Sequence, residues 1–171
     1  AICKNALQIC CMKYLPLLFL IIATSLTTSA QLVVQVYDGD TYKILDKGKF
    51  QIIRLANVDA PEIGQYYGTI VKAAVSKLIL AKIVKVEAYG KDRFGRTIAN
   101  ITVDGKALDS LLIAHGWAWH FVQYSHHKYL LIFEDIAREA KLGLWRCQHN
   151  VPPWIWRKLS KKQKRLKEMC R

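Results

Sequence analysis

Six charged side chains stand in short motifs whose residue types could together handle a phosphodiester. Asp38 and Asp40 flank a glycine in VYDGDTYKI, Arg54 stands among apolar neighbours in IIRL, Asp59 and Glu62 follow in NVDAPE, and Arg96 closes KDRFGR. A phosphodiester is anionic. Attack by water therefore calls for a cation to offset charge, a base to orient or deprotonate the water, and donors for the charge that builds in the transition state. Carboxylates at irregular spacing suit a hard cation such as calcium, which accepts loose, oxygen-only geometry. Arginines bind phosphate oxygens in planar, bidentate fashion. Taken alone, DGD is also an ordinary turn in which aspartates cap backbone amides.

Strands and turns must position these groups. QLVVQVY and TYKIL flank DGD, and DKGK turns the chain into FQIIRLANV, which predicts a three-stranded meander. A helix is expected over GTIVKAAVSKLILAK, with Ile70, Ala73, Ala74, Leu78 and Ala81 sharing one face. Extended IVKVEAY and TIANITV follow, separated by GKDRFG. DGKALDSLLIAHG then opens a helix that stops at Gly116, and a last helix covers roughly Lys128 to Leu142. Five short strands with a helix between the third and fourth match a Greek-key barrel of the OB type, an α+β, mainly β fold with about three helices, whose barrel face and loops take oligonucleotides. If the meander pairs in order, Asp40 and the Asp59 end of the third strand meet on one rim.

The 171-residue chain, 52% hydrophobic and 23% charged, has room for one ordinary core. MKYLPLLFLIIATSLTTSA places Lys13 ahead of an apolar run from Leu15 to Ala23 and small residues near Ala30, the pattern of a secretory signal cut after Ala30. That run is shorter than the roughly 20 residues that span a bilayer. Residues 1–30 are thus expected to be upstream residues and signal, 31–146 the barrel domain, and 147–171 a basic extension, with the product exported to a periplasm or the medium. Removal of the signal takes Cys3, Cys10 and Cys11 with it. Cys147 and Cys170 remain, as a disulfide suited to an oxidising compartment or as two free thiols.

Net charge is +13, and Arg157 to Arg171, with eight basic residues and one acidic, carries +7 of it. Trp156, Leu159, Gln163, Leu166 and Cys170 recur at helical spacing, which predicts a tail helix whose cationic face is either simply solvated or a surface for phosphates or anionic lipid. His126 and His127 are adjacent, share no helix face and complete no zinc motif.

In their order, DGDT, RLANVDAPE, YGKDRFGR and VDGKALDSLLIAHGWA resemble the thermonuclease family, the calcium-dependent secreted nucleases typified by staphylococcal nuclease. The resemblance runs from about Val34 to Trp156, and AKLGLW and VPPWIWR are similar to the tails of the family's bacterial exported members. It implies a monomer that cuts DNA and RNA to 3′-phosphates with Ca2+ as cofactor. It further implies that Asp40, Asp59 and the backbone carbonyl of Ala60 ligate the cation, with Asp38 reaching it through water. Glu62 would hold or activate the attacking water, and Arg54 and Arg96 would clamp the phosphate. Arg93 and Phe94, in DRFGR, are substrate-binding candidates. Phe94 stands where the type member has tyrosine, so a hydroxyl is missing while a ring face remains. Phe121 and Tyr124 are stacking candidates or, equally, barrel-closing aromatics; the tryptophans are read as packing. The competing readings are a non-catalytic nucleic-acid-binding barrel and a cationic surface-binding protein. Three acids have no use in binding phosphate alone.

Overall fold

The computed structural model describes residues 31–125 and 127–167. The expected signal segment, His126 and Cys170 lie outside the described residues. Three strands, β1 (Gln31–Val36), β2 (Thr41–Asp46) and β3 (Lys49–Leu55), pair antiparallel in sequence order as a meander. The DKGK turn works because Lys47 and Gly48 both take positive φ, 48° and 76°, the two-residue geometry whose twist matches the flanking strands.

After the short β4 (Val58–Asp59) comes α1 (Gly68–Ile79), followed by β5 (Ile83–Lys91) and β6 (Thr97–Val103). β1 pairs with β5 and β5 with β6, and β6 returns to run parallel beside β3, with Arg54 opposite Ile98. That last pairing closes β1, β2, β3, β5 and β6 into a five-stranded barrel, with α1 between its third and fourth strands. The expected OB-type α+β fold is therefore present. β7 (Lys106–Ala107) extends β6, and β8 (Trp119–His120) pairs with β4. Around them lie α2 (Leu108–Ala114), α3 (Tyr129–Glu139), a 3-10 turn at Gly143–Arg146, α4 (Pro153–Trp156) and α5 (Lys161–Lys167).

Alternation along the strands fills the barrel. Val33, Tyr42, Ile44, Ile53, Leu55, Ala99, Ile101 and Val103 are all buried in one cluster with Leu108 and Leu112 of α2. Helix α1 corrects the sequence expectation about its face. Ile70 is 52% exposed, and the buried line is Val71, Val75 and Ile79, at spacings of four, starting from Gly68. Apolar residues occupy both sides of this helix, so periodicity alone left the register open; the barrel selects the bulky aliphatic line, each member of which contributes about 1.5 to 3 kcal/mol when fully buried.

The tail also departs from expectation. Two short helices replace one, because Ser160 starts α5 afresh: its N–H donates to Gln163 Oε1 at 2.9 Å, and its hydroxyl accepts from Gln163 N at 3.3 Å. This is a reciprocal capping box. Trp156 is buried while Leu166 is 62% exposed, so the supposed stripe does not form one packed face. Cys147 is disulfide-bonded.

Candidate active site

The DGD loop is built around a close approach. A Cβ on Gly39 would lie 2.5 Å from Ala60 Cβ and 2.6 Å from Val71 Cγ1, so only glycine lets this loop rest on the NVDAPE turn and α1. Tyr42 pins it by donating its hydroxyl hydrogen to Gly39 O at 2.6 Å. Asp38 Oδ1 accepts from Asp40 N at 3.0 Å, and Asp40 Oδ2 accepts from Ala60 N at 2.6 Å. The two acid-bearing loops are thus stitched together by backbone donors.

Strand register supplies the first guanidinium. Arg54 pairs opposite Thr41, which sets it beside Asp40. Its Nη1 lies 2.8 Å from Asp40 Oδ2 and its Nη2 donates to Asp59 Oδ1 at 2.8 Å. Nη1 also donates to the Val58 carbonyl at 2.9 Å. A charge inside an apolar strand is explained: Arg54 is a bridge between two buried carboxylates. Behind the turn, Asn57 donates to Asn100 Oδ1 at 2.9 Å and Asp109 Oδ2 at 2.7 Å, tying it to β6 and α2.

Burial dominates the electrostatics. Asp40 is pushed up to about 7 by desolvation, even with Arg54 pulling the other way and Asp38 adding to the rise. Asp59 is raised as well, again by burial first, against the hydrogen bond from Arg157 and the charge of Arg54. Arg54 and Arg157 thus offset only part of the cost of burying these charges, and a cation bound to the two carboxylates would favour their ionised form further.

The second guanidinium was not anticipated. Arg157, just past α4, donates from Nη2 to Asp59 Oδ2 at 2.7 Å and from Nη1 to Glu62 Oε1 at 2.9 Å. The tail is led there by several contacts. Gln65 donates to the Val151 carbonyl, Trp154 stacks on Phe121 with ring centroids 5.7 Å apart and planes 13° apart, and Trp156 is buried. In the sequence Arg157 was one basic residue among eight; its sole distinguishing mark was the apolar VPPWIW segment before it.

Across the rim, Asp92 organises the β5–β6 turn. Its Oδ1 accepts from Phe94 N at 2.9 Å and Arg96 N at 3.0 Å, and Oδ2 accepts from Arg96 Nε at 2.7 Å. Burial pulls this carboxyl upward, but the hydrogen bonds from Arg96 and Phe94 together outweigh it and leave Asp92 below the usual carboxylate range. Phe94 is 69% exposed, with the Arg93 guanidinium 4.8 Å from its ring centroid. Every catalytic, metal and substrate-binding position expected from the sequence lines one cleft of about 1340 Å³, which also takes in Tyr89, Asp92, His127 and Arg157.

Among the described residues no group of three or more His, Cys, Asp or Glu side chains is gathered tightly enough to hold an ion by itself. The expected set needs fewer side chains: Asp40 and Asp59, already converged on one guanidinium, plus a main-chain oxygen. These are hard donors only, and they fit calcium rather than a soft metal.

Residues 52–147 match the family described as Staphylococcal nuclease homologue. A protein of Escherichia coli O157:H7 named as an uncharacterized endonuclease is 36% identical over 148 residues, covering 85% of this chain and 97% of the relative. The chain belongs to the staphylococcal nuclease family. Another member, an uncharacterized endonuclease of Haemophilus influenzae, is 36% identical over 130 residues, 75% of this chain and 73% of its own. A probable staphylococcal-like nuclease of Oryza sativa is 39% identical over 113 residues, 66% of this chain but 23% of that longer protein. Membership in the staphylococcal nuclease family makes this chain a nuclease-type hydrolase.

Proposed function

We propose that the protein is an exported, calcium-dependent nuclease that hydrolyses both DNA and RNA to 3′-phosphate ends. The observation that carries this reading is the Asp40–Arg54–Asp59 bridge, which joins two oxygen-donor carboxylates and a phosphate-binding guanidinium on one rim. Asp40, Asp59 and the Ala60 carbonyl would hold Ca2+, which supplies charge neutralisation for a phosphate oxygen, and Asp38 would lie one water further out.

Glu62 has the properties of a water-handling group. Its side chain is 38% exposed, so it reaches solvent, whereas Asp59 at 1% does not. In this reading Glu62 orients the water and takes up its proton as the new phosphorus–oxygen bond forms. The bond from phosphorus to the 5′ oxygen breaks, and the departing oxygen takes a proton from solvent water, leaving a 3′-phosphate and a 5′-hydroxyl. Arg54 and Arg96 bind the equatorial oxygens, where charge builds. Because the nucleophile is water, a 2′-hydroxyl is not needed, which accounts for activity on both polymers. The exposed rings of Phe94 and Tyr124 provide stacking faces for bases, whereas Phe121 packs against Trp154 and Tyr124.

The test is incubation of residues 31–171 with single-stranded DNA and with RNA at mildly alkaline pH, in calcium and in excess chelator. Calcium-dependent cleavage of both with 3′-phosphate ends supports the reading. Binding without cleavage in either condition overturns it in favour of a binding module. Export is tested by sequencing the amino terminus of protein recovered outside the cytoplasm. Every described barrel strand lies after Ala30 in the chain.

A further inference from the structure

Arg157 occupies the carboxylates that the proposed chemistry needs. Asp59 has both oxygens engaged by guanidinium hydrogens, Oδ1 by Arg54 and Oδ2 by Arg157, and Glu62 Oε1 is held by the same Arg157. While that contact stands, Asp59 Oδ2 is shielded from a cation and Glu62 is engaged by a donor other than water.

Charge counting gives the contact a direction. With Asp38, Asp40, Asp59 and Glu62 ionised, Arg54 and Arg157 leave the group two negative charges; without Arg157 it carries three, so release of Arg157 strengthens the field that draws a divalent cation. Two cations of different kind thus compete for one place. The two arginines also differ in mobility, because the Arg54 side chain is 12% exposed and fixed in a barrel strand, whereas that of Arg157 is 45% exposed and lies beyond the last residue of a one-turn helix. On leaving the rim Arg157 regains hydration, which offsets part of the loss of its bonds to Asp59 and Glu62, and the cleft that a nucleic acid would enter is beside it.

We propose that Arg157 is a third phosphate-binding arginine that exchanges partners: it neutralises Asp59 and Glu62 until a divalent cation takes them, and then pairs with a phosphate of the bound strand. The proposal rests on the calcium-dependent nuclease reading above. Cation binding and exposure of a substrate-binding guanidinium become one event, which prevents the carboxylates from repelling an incoming phosphate in the cation-free protein.

The experiment is calorimetric titration of the protein with calcium, without nucleic acid, for wild type, Arg157→Gln and Arg157→Lys, with far-UV circular dichroism to verify folding. Arg157→Gln binds calcium about tenfold more tightly, since one charge-assisted pair no longer has to be broken, and Arg157→Lys falls between. In saturating calcium, the dependence of log KM on log salt for single-stranded DNA is shallower by about 0.7 in Arg157→Gln, the loss of one phosphate contact. Equal calcium affinity in all three proteins, or an unchanged salt slope, overturns the exchange while leaving the nuclease reading in place. No calcium binding by any of the three overturns both.

Discussion

The Gly39 backbone and the Ala60 side chain touch so closely that a Cβ on Gly39 would sit 2.5 Å from Ala60 Cβ. This contact sets the spacing between the loop that carries Asp40 and the turn that carries Asp59. Gly39→Ala is therefore expected to push the two loops apart, with a stability loss of about 1 to 3 kcal/mol from overpacking. Urea unfolding measures the loss. A calcium titration of the same variant should show weakened binding, because the donors no longer converge.

Glu62 is half exposed and its contacts beyond Arg157 are few, so Glu62→Gln should keep wild-type stability within about 0.5 kcal/mol. Its kcat should fall by about 10²- to 10⁴-fold, the usual worth of a general base. Single-turnover cleavage measures the chemical step; an unchanged rate would remove Glu62 from it.

Phe94 is exposed and outside the core, its ring lying beside the Arg93 and Arg96 guanidiniums. Phe94→Ala should raise KM for single-stranded DNA by about tenfold, within the range of one base–aromatic stack, and leave kcat and the melting temperature as they were. Steady-state kinetics separates the two parameters, and an effect on kcat alone would mean that the ring positions Arg96 rather than a base.

His120 gives the protein an acid sensitivity. Both of its ring nitrogens are buried without a hydrogen-bond partner, and burial holds its pKa below the ordinary 6.5, with His127 lowering it further and Glu134 and Asp109 pulling it back up. The unfolded chain then binds a proton that the native state refuses. The penalty is absent above pH 6.5 and grows as pH falls from there towards the depressed native value. His120→Phe should abolish this part of the decline, so the stability difference between variant and wild type widens from pH 7 to pH 5 in denaturant unfolding. A pH-independent difference would show that His120 does not titrate on unfolding.

Much of the barrel could be read from residues near each other in sequence. The DKGK turn and the extended runs flanking DGD fix the meander locally, and the glycine of DRFGR marks the turn between β5 and β6. The carboxylate rim was legible for the same reason, since strand pairing carries Asp40 to Arg54 with no long-range information. Helix α1 was misread because Ile70 and Ala73 compete with Val71 and Val75 as an apolar line, and only the barrel surface decides between them. Arg157 was hidden for a different reason. A run of basic residues gives each member the same meaning, and the one that folds back is singled out by Gln65, Phe121 and Asp59, all far away in the chain.

That distance has a kinetic side. Asp59 and Arg157 are separated by 98 positions, whereas Arg54 and Asp59 are separated by 5. Loop-closure entropy places the short-range pair early in assembly and the long-range pair late. A chain that has closed its barrel but not yet docked its tail is expected to show an acidic face on an otherwise basic molecule. Calcium present during refolding would meet that face before Arg157 does, so the order of arrival, and not only relative affinity, sets which cation first completes the site.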